Sequence, residues 1–107
     1  MLENLNKIVQ KTYYSNSNEG LDAIFYLYKI GKNVFCNAVV KAKDNYTYNI
    51  EIDKEFRPIS NELSITGQRL QDTTISSASI RIKNGIPFTN YAYTGAIYLI
   101  SAMWNTN

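Results

Sequence analysis

Between Leu21 and Phe56, three runs rich in aromatic and β-branched residues alternate apolar with polar side chains. They cover residues 23–30, 34–43 and 46–56. Alternation with a period of two predicts strands with one buried face. Gly31-Lys32 separates the first two runs, with glycine where a two-residue hairpin turn needs a positive φ. Asp44-Asn45 separates the second and third. The pattern predicts an antiparallel meander.

The hydrophobic pattern also sets the expected register. A two-residue turn at Gly31-Lys32 puts Phe25 beside Ala38, Leu27 beside Cys36 and Ala23 beside Val40. A two-residue loop at Asp44-Asn45 would set Val40 against Asn49 and mix core with polar residues. A three-residue loop, 43–45, with Asn45 left-handed, sets Ala42 with Tyr46, Val40 with Tyr48, Ala38 with Ile50 and Cys36 with Ile52. The expected core face is then Phe25, Leu27, Cys36, Ala38, Val40, Tyr48, Ile50 and Ile52. The opposite face carries Ile24, Tyr26, Tyr28, Phe35, Asn37, Val39, Lys41, Asn49, Glu51 and Asp53.

Outside this region the period changes. Leu2, Leu5, Ile8 and Val9 share one side of a helix over residues 2–12, followed by a polar loop at 15–20. Residues 57–74 read either as a short helix or as an irregular strand with a bulge at Gly67. Residues 76–83 alternate as a half-wet strand and end at the turn signal Asn84-Gly85. Tyr93, Ala96, Ile97, Ile100, Met103 and Trp104 fall on a helical stripe with Thr89 or Asn90 as cap. Gly95 and the β-branched and aromatic residues around it also permit a strand. The fold class expected is α+β: a four- to five-stranded antiparallel meander with an N-terminal and a C-terminal helix, in one domain spanning 1–107.

Composition narrows the chemistry. The 107 residues are 45% hydrophobic and 19% charged, enough for a core without metal or disulfide staples. A net charge of +2 is too weak to point to nucleic acid or a membrane. The chain has no histidine, which removes the usual general base and commonest metal ligand, so no metal or cofactor is expected. The one cysteine, Cys36, fits a reducing cytoplasm, and its place on the core face predicts an inert thiol. No leader and no membrane-length apolar run is read. The abundance of Ile, Asn and Tyr, all with AT-rich codons, suggests a low-GC bacterium or its phage.

No catalytic or phosphate-binding motif is present. Glu51, Asp53 and Glu55 alternate on the expected third strand, where they act as a carboxylate pair or, more simply, as a solvated edge. Arg57, Arg69 and Arg81 lie on separate segments and read as independent surface groups. The aromatic second face is the better candidate. Tyr26, Tyr28 and Phe35, with Asn37, Lys41 and Glu51 beside them, suit a protein partner or a small nucleotide-like ligand. Ile97, Ile100, Met103 and Trp104 are the expected oligomer interface of a homo-oligomer.

The leading expectation is a small non-enzymatic binding protein that acts by occupying a partner, such as a phage-encoded inhibitor of a bacterial defence or regulatory system. A nucleotide or single-stranded nucleic-acid module using the aromatic face is the alternative. A small enzyme with a carboxylate base, Glu51 or Asp53, is the third.

Overall fold

The chain folds into a single antiparallel sheet of eight strands in a computed structural model that describes residues 7–90, 92 and 94–107. The strands are β1 (Ile8–Ser17), β2 (Gly20–Ile30), β3 (Asn33–Lys41), β4 (Tyr46–Thr47), β5 (Glu62–Gln71), β6 (Thr74–Lys83), β7 (Ile86–Thr89) and β8 (Ile97–Asn105). Their order across the sheet is β1-β2-β3-β8-β5-β6-β7-β4, and the sheet curls into a half-barrel. A single 3-10 turn, Lys54–Phe56, is the one helical element among the described residues. None of their helices is long and apolar enough to cross a membrane.

The β2–β3 hairpin has the register its pattern dictates. Phe25 pairs with Ala38, Leu27 with Cys36 and Ala23 with Val40. Gly31 takes φ 60° in the turn, a conformation that costs a glycine little. At the β6–β7 hairpin Asn84 and Gly85 both have positive φ, at 51° and 81°, as a tight turn between twisted strands requires. Asn45 is left-handed at φ 48°.

The expected α+β class is overturned: the fold is nearly all sheet. The expected N-terminal helix gives way to β1, where Ile8 to Ser17 pair with β2 along their length. The preceding part of that helix, residues 1–6, lies outside the described residues, as does Tyr93 of the C-terminal stripe. The C-terminal helix is replaced by β8, which pairs with β3 on one side and β5 on the other. Both segments carry β-branched and aromatic residues that pack well on a pleated surface, and tertiary pairing outweighs their weak helical periodicity.

The third strand of the meander is also a correction. Only Tyr46–Thr47 is a strand, and it pairs with β7 at the far edge of the sheet. The place beside β3 belongs to β8, with Ala38 opposite Ile100 and Val34 opposite Trp104. Residues 48–53 instead run as a strap across the concave face. The Tyr48 and Ile52 amides donate to the carbonyls of Pro87 and Gly85, at 2.9 and 2.8 Å. The Asn49 and Asp53 amides donate to Ser15 Oγ and the Tyr13 hydroxyl, both at 2.9 Å. The strap therefore spans from the β7 side to β1 and closes the half-barrel without a strand ladder.

Tyr48, Ile50 and Ile52 point into the sheet from the strap and are buried, as their alternation predicted, together with Phe56. They complete a core formed by Phe25, Leu27, Val34, Cys36, Val40, Ile65, Ile80, Ile82, Ile100 and Trp104. Trp104 Nε1 donates to the Phe56 carbonyl at 2.7 Å, so its one polar group is satisfied inside the core. Gly67 is not a bulge, since β5 pairs with β6 in unbroken register. It sits where β5 meets β8, and a Cβ there would lie 2.0 Å from the Leu99 carbonyl oxygen. Only glycine permits that approach.

Candidate functional site

The concave side of the half-barrel is filled, whereas among the described residues no element packs over its convex side. Alternation assigns the convex side chains of β1, β2, β3 and β8. Cross-strand pairing then lines them up in rows. One row is Gln10, Tyr28, Phe35 and Met103. The next is Thr12, Tyr26, Asn37 and Ser101, and the next Tyr14, Ile24, Val39 and Leu99. Lys41 and Ile97 pair at one end. Phe35 is 39% exposed and Met103 60% exposed, while Tyr26 and Tyr28 are half-buried among their neighbours.

Of the outward positions on these four strands, Lys41 alone is charged. The neighbouring convex surface of β5 and β6 differs. There Ser64, Thr66, Gln68, Ser77 and Ser79 face out, and Arg81 pairs with Glu62 at 3.2 Å. A shallow depression of about 480 Å³, bounded by Tyr26, Asn37, Val39, Gln68, Leu99 and Ser101, marks the boundary between the two halves.

Tyr26, Tyr28, Phe35, Asn37 and Lys41 are thus brought onto one surface, with Tyr28 directly opposite Phe35 and Tyr26 opposite Asn37. Glu51 does not join them. It lies on the strap, over the concave side, where it faces Arg57 with the Arg57 Nη2 group 3.3 Å from its carboxylate. The β8 residues divide. Ile100 and Trp104 enter the core, whereas Ile97 and Met103 face outward, so the four do not share one surface. The sequence reading missed that Leu99 and Tyr14 extend the aromatic face. The available signal was the unbroken apolar run Ala96–Ile100, which suits a strand flanked on both faces as well as a helix.

The carboxylates do not converge. Asp53 is ion-paired with Lys11, which lowers the Asp53 pKa and raises that of Lys11. Glu51 belongs to Arg57, and no group of three metal-ligating side chains occurs among the described residues. Arg57 also donates from Nε to the Ile52 carbonyl at 2.6 Å, so it braces the strap. Cys36 is buried, and that burial pushes its thiol up to about 12. A thiol held protonated is a poor nucleophile.

Among the described residues, a cluster around the buried carboxylate of Asp22 anchors the segment leading into the strap. Asp22 is 1% exposed and accepts from Ser17 Oγ at 3.1 Å, Lys43 Nζ at 3.2 Å and the Tyr46 hydroxyl at 3.2 Å. Burial works to raise its carboxyl, but the bonds from Lys43, Ser17 and Tyr46 outweigh it and hold the pKa below the ordinary range. Lys43 lies over the Tyr46 ring at 4.6 Å and also reaches Glu19. Every oxygen and ammonium here has a structural partner, so the cluster ties the β1–β2 turn to the start of the strap. No protein-family model matches this chain, and no curated protein matches it in sequence.

Proposed function

We propose that this chain is a non-catalytic binding module that occupies a protein partner through the convex face of β1, β2, β3 and β8. The observation that carries this reading is the near absence of charge from a broad face holding Tyr14, Tyr26, Tyr28, Phe35, Leu99 and Met103. Interface centres are depleted of charge and enriched in aromatics and methionine. One such row of Tyr28, Phe35 and Met103 and another of Tyr14, Ile24, Val39 and Leu99 flank the uncharged polar row of Thr12, Tyr26, Asn37 and Ser101, a mixture that suits a protein interface. Stacking of a nucleic-acid strand calls for a cationic track along the aromatics, and this face offers Lys41 alone.

Occupancy needs no acid, base or cofactor, which suits an inhibitor working inside a reducing compartment. Affinity capture with the purified chain tests the reading. The double variant Phe35→Lys/Met103→Lys should lose a partner that the parent and Arg81→Glu both retain. Retention of the same partner by the double variant would refute the assignment. So would tight binding of a single-stranded oligonucleotide that Tyr28→Ala abolishes.

A further inference from the structure

The two edges of the sheet are treated differently. At one edge β4 is two residues long and is continued by the strap. At the other, β1 runs for ten residues, with Ile8 53% and Tyr14 57% exposed. The strap reaches β1 through the Ser15 and Tyr13 side chains, and no backbone–backbone hydrogen bond among the described residues joins β1 to any element but β2. Proteins commonly blunt such an edge with proline, a lone charge or a very short strand. β1 has no proline, and its one charge, Lys11, is matched by Asp53.

The direction of the free backbone groups follows from the hairpin. A two-residue turn at Gly31-Lys32 makes Ile30 and Asn33 exchange both backbone bonds. Alternation then directs the backbone groups of Lys29, Leu27 and Phe25 toward β1, where they meet Val9, Lys11 and Tyr13. The amides and carbonyls of Ile8, Gln10, Thr12 and Tyr14 therefore point out of the sheet. The register shift at Ser15/Asn16 ends this regular stretch.

We infer that β1 pairs antiparallel with β1 of a second copy, about a two-fold axis at Thr12. An added strand must keep convex side chains opposite convex ones, so only registers centred on a single residue are allowed. Centring on Lys11 would set two ammonium groups against each other. Centring on Tyr13 would set two Tyr13 rings against each other, place Lys11 opposite the small Ser15, and lose the cation–ring pairing. Centring on Thr12 sets Lys11 opposite Tyr13 twice, a cation beside a ring, and Gln10 opposite Tyr14 twice. Thr12 meets Thr12, a favourable cross-strand pair. Centred on Thr12, the strand thus pairs with itself without setting like charges against each other, and with each concave side chain opposite a concave one. Gln10, Thr12 and Tyr14 together provide about six intermolecular backbone bonds. The pairing also joins two convex faces into one.

Sedimentation velocity over a dilution series tests this. The parent should show a concentration-dependent dimer. Thr12→Lys opposes like charges on the axis and should raise the dimer dissociation constant about tenfold or more. Thr12→Pro should do the same, because the amide it removes points to solvent in the monomer and proline is tolerated at such an edge position. Thr12→Cys should cross-link on oxidation faster than Gln10→Cys, whose own partner is Tyr14; buried Cys36 stays out of the reaction. Phe35→Lys should leave the dimer mass unchanged, which separates this inference from the convex-face reading. A monomer mass at every concentration would overturn the inference and leave the edge to an extended segment of another protein. A dimer that survives both Thr12 variants would overturn it too.

Discussion

Phe25 and Phe35 sit on neighbouring strands of one hairpin and meet opposite fates. Phe25 is fully buried beneath the strap, whereas Phe35 is 39% exposed on the convex side. The same side chain serves stability on one face and is spare on the other. It is the grouping of Phe35 with other exposed apolar side chains on the convex side, rather than its own exposure, that makes this face the candidate contact surface proposed above.

The contrast can be broken from the concave side first. Phe25→Ala should lower the unfolding free energy by about 3–5 kcal/mol, since a buried ring is lost and a cavity left. Urea denaturation would measure it. Asp22→Asn comes next, at about 2 kcal/mol, because Lys43 then loses a charged partner in a closed setting. Its pH dependence has a definite sign. The folded Asp22 pKa is lowered, so its contribution is fully present above the ordinary carboxylate range and is lost as pH falls through the folded value. Denaturation midpoints of the parent should therefore fall on acidification more steeply than those of Asp22→Asn.

Tyr48→Phe should cost about 1 kcal/mol, through the lost bond to the Lys41 carbonyl at 2.7 Å. Phe35→Ala should change stability least, by about 0.5 kcal/mol, while weakening partner binding by about 2 kcal/mol. If Phe35→Ala destabilised the fold as much as Phe25→Ala, the distinction between the faces would fail.

Sequence alone made much of this contrast legible, and the reason is local. Two-residue alternation and a glycine turn settle the β2–β3 register, so Phe25 and Phe35 could be assigned to opposite faces. The burial of Tyr48, Ile50 and Ile52 was also readable, because alternation reports facing rather than partnership. The partner was not readable. Nothing in residues 34–41 distinguishes β8 from residues 46–56 as a neighbour, since both offer apolar side chains at matching intervals. The same blindness placed Glu51 beside Tyr26, although the strap carries it to the other side of the sheet. In β8, apolar residues occupy both faces, and such a run satisfies a helical stripe and a doubly covered strand alike.

The seat of β8 has a kinetic consequence. It is the last strand in chain order yet lies in the middle of the sheet, between β3 and β5. The hairpins β1–β2–β3 and β5–β6–β7 can each form early from near neighbours, but no strand ladder joins them until Ile97–Asn105 arrives. Val34 must wait for Trp104, and that long loop closure precedes any reward from the shared core. Folding should therefore fall in the slow range of milliseconds to seconds typical of non-local sheets. Until β8 docks, each half exposes two raw edges, and that interval is when the chain is most open to aggregation.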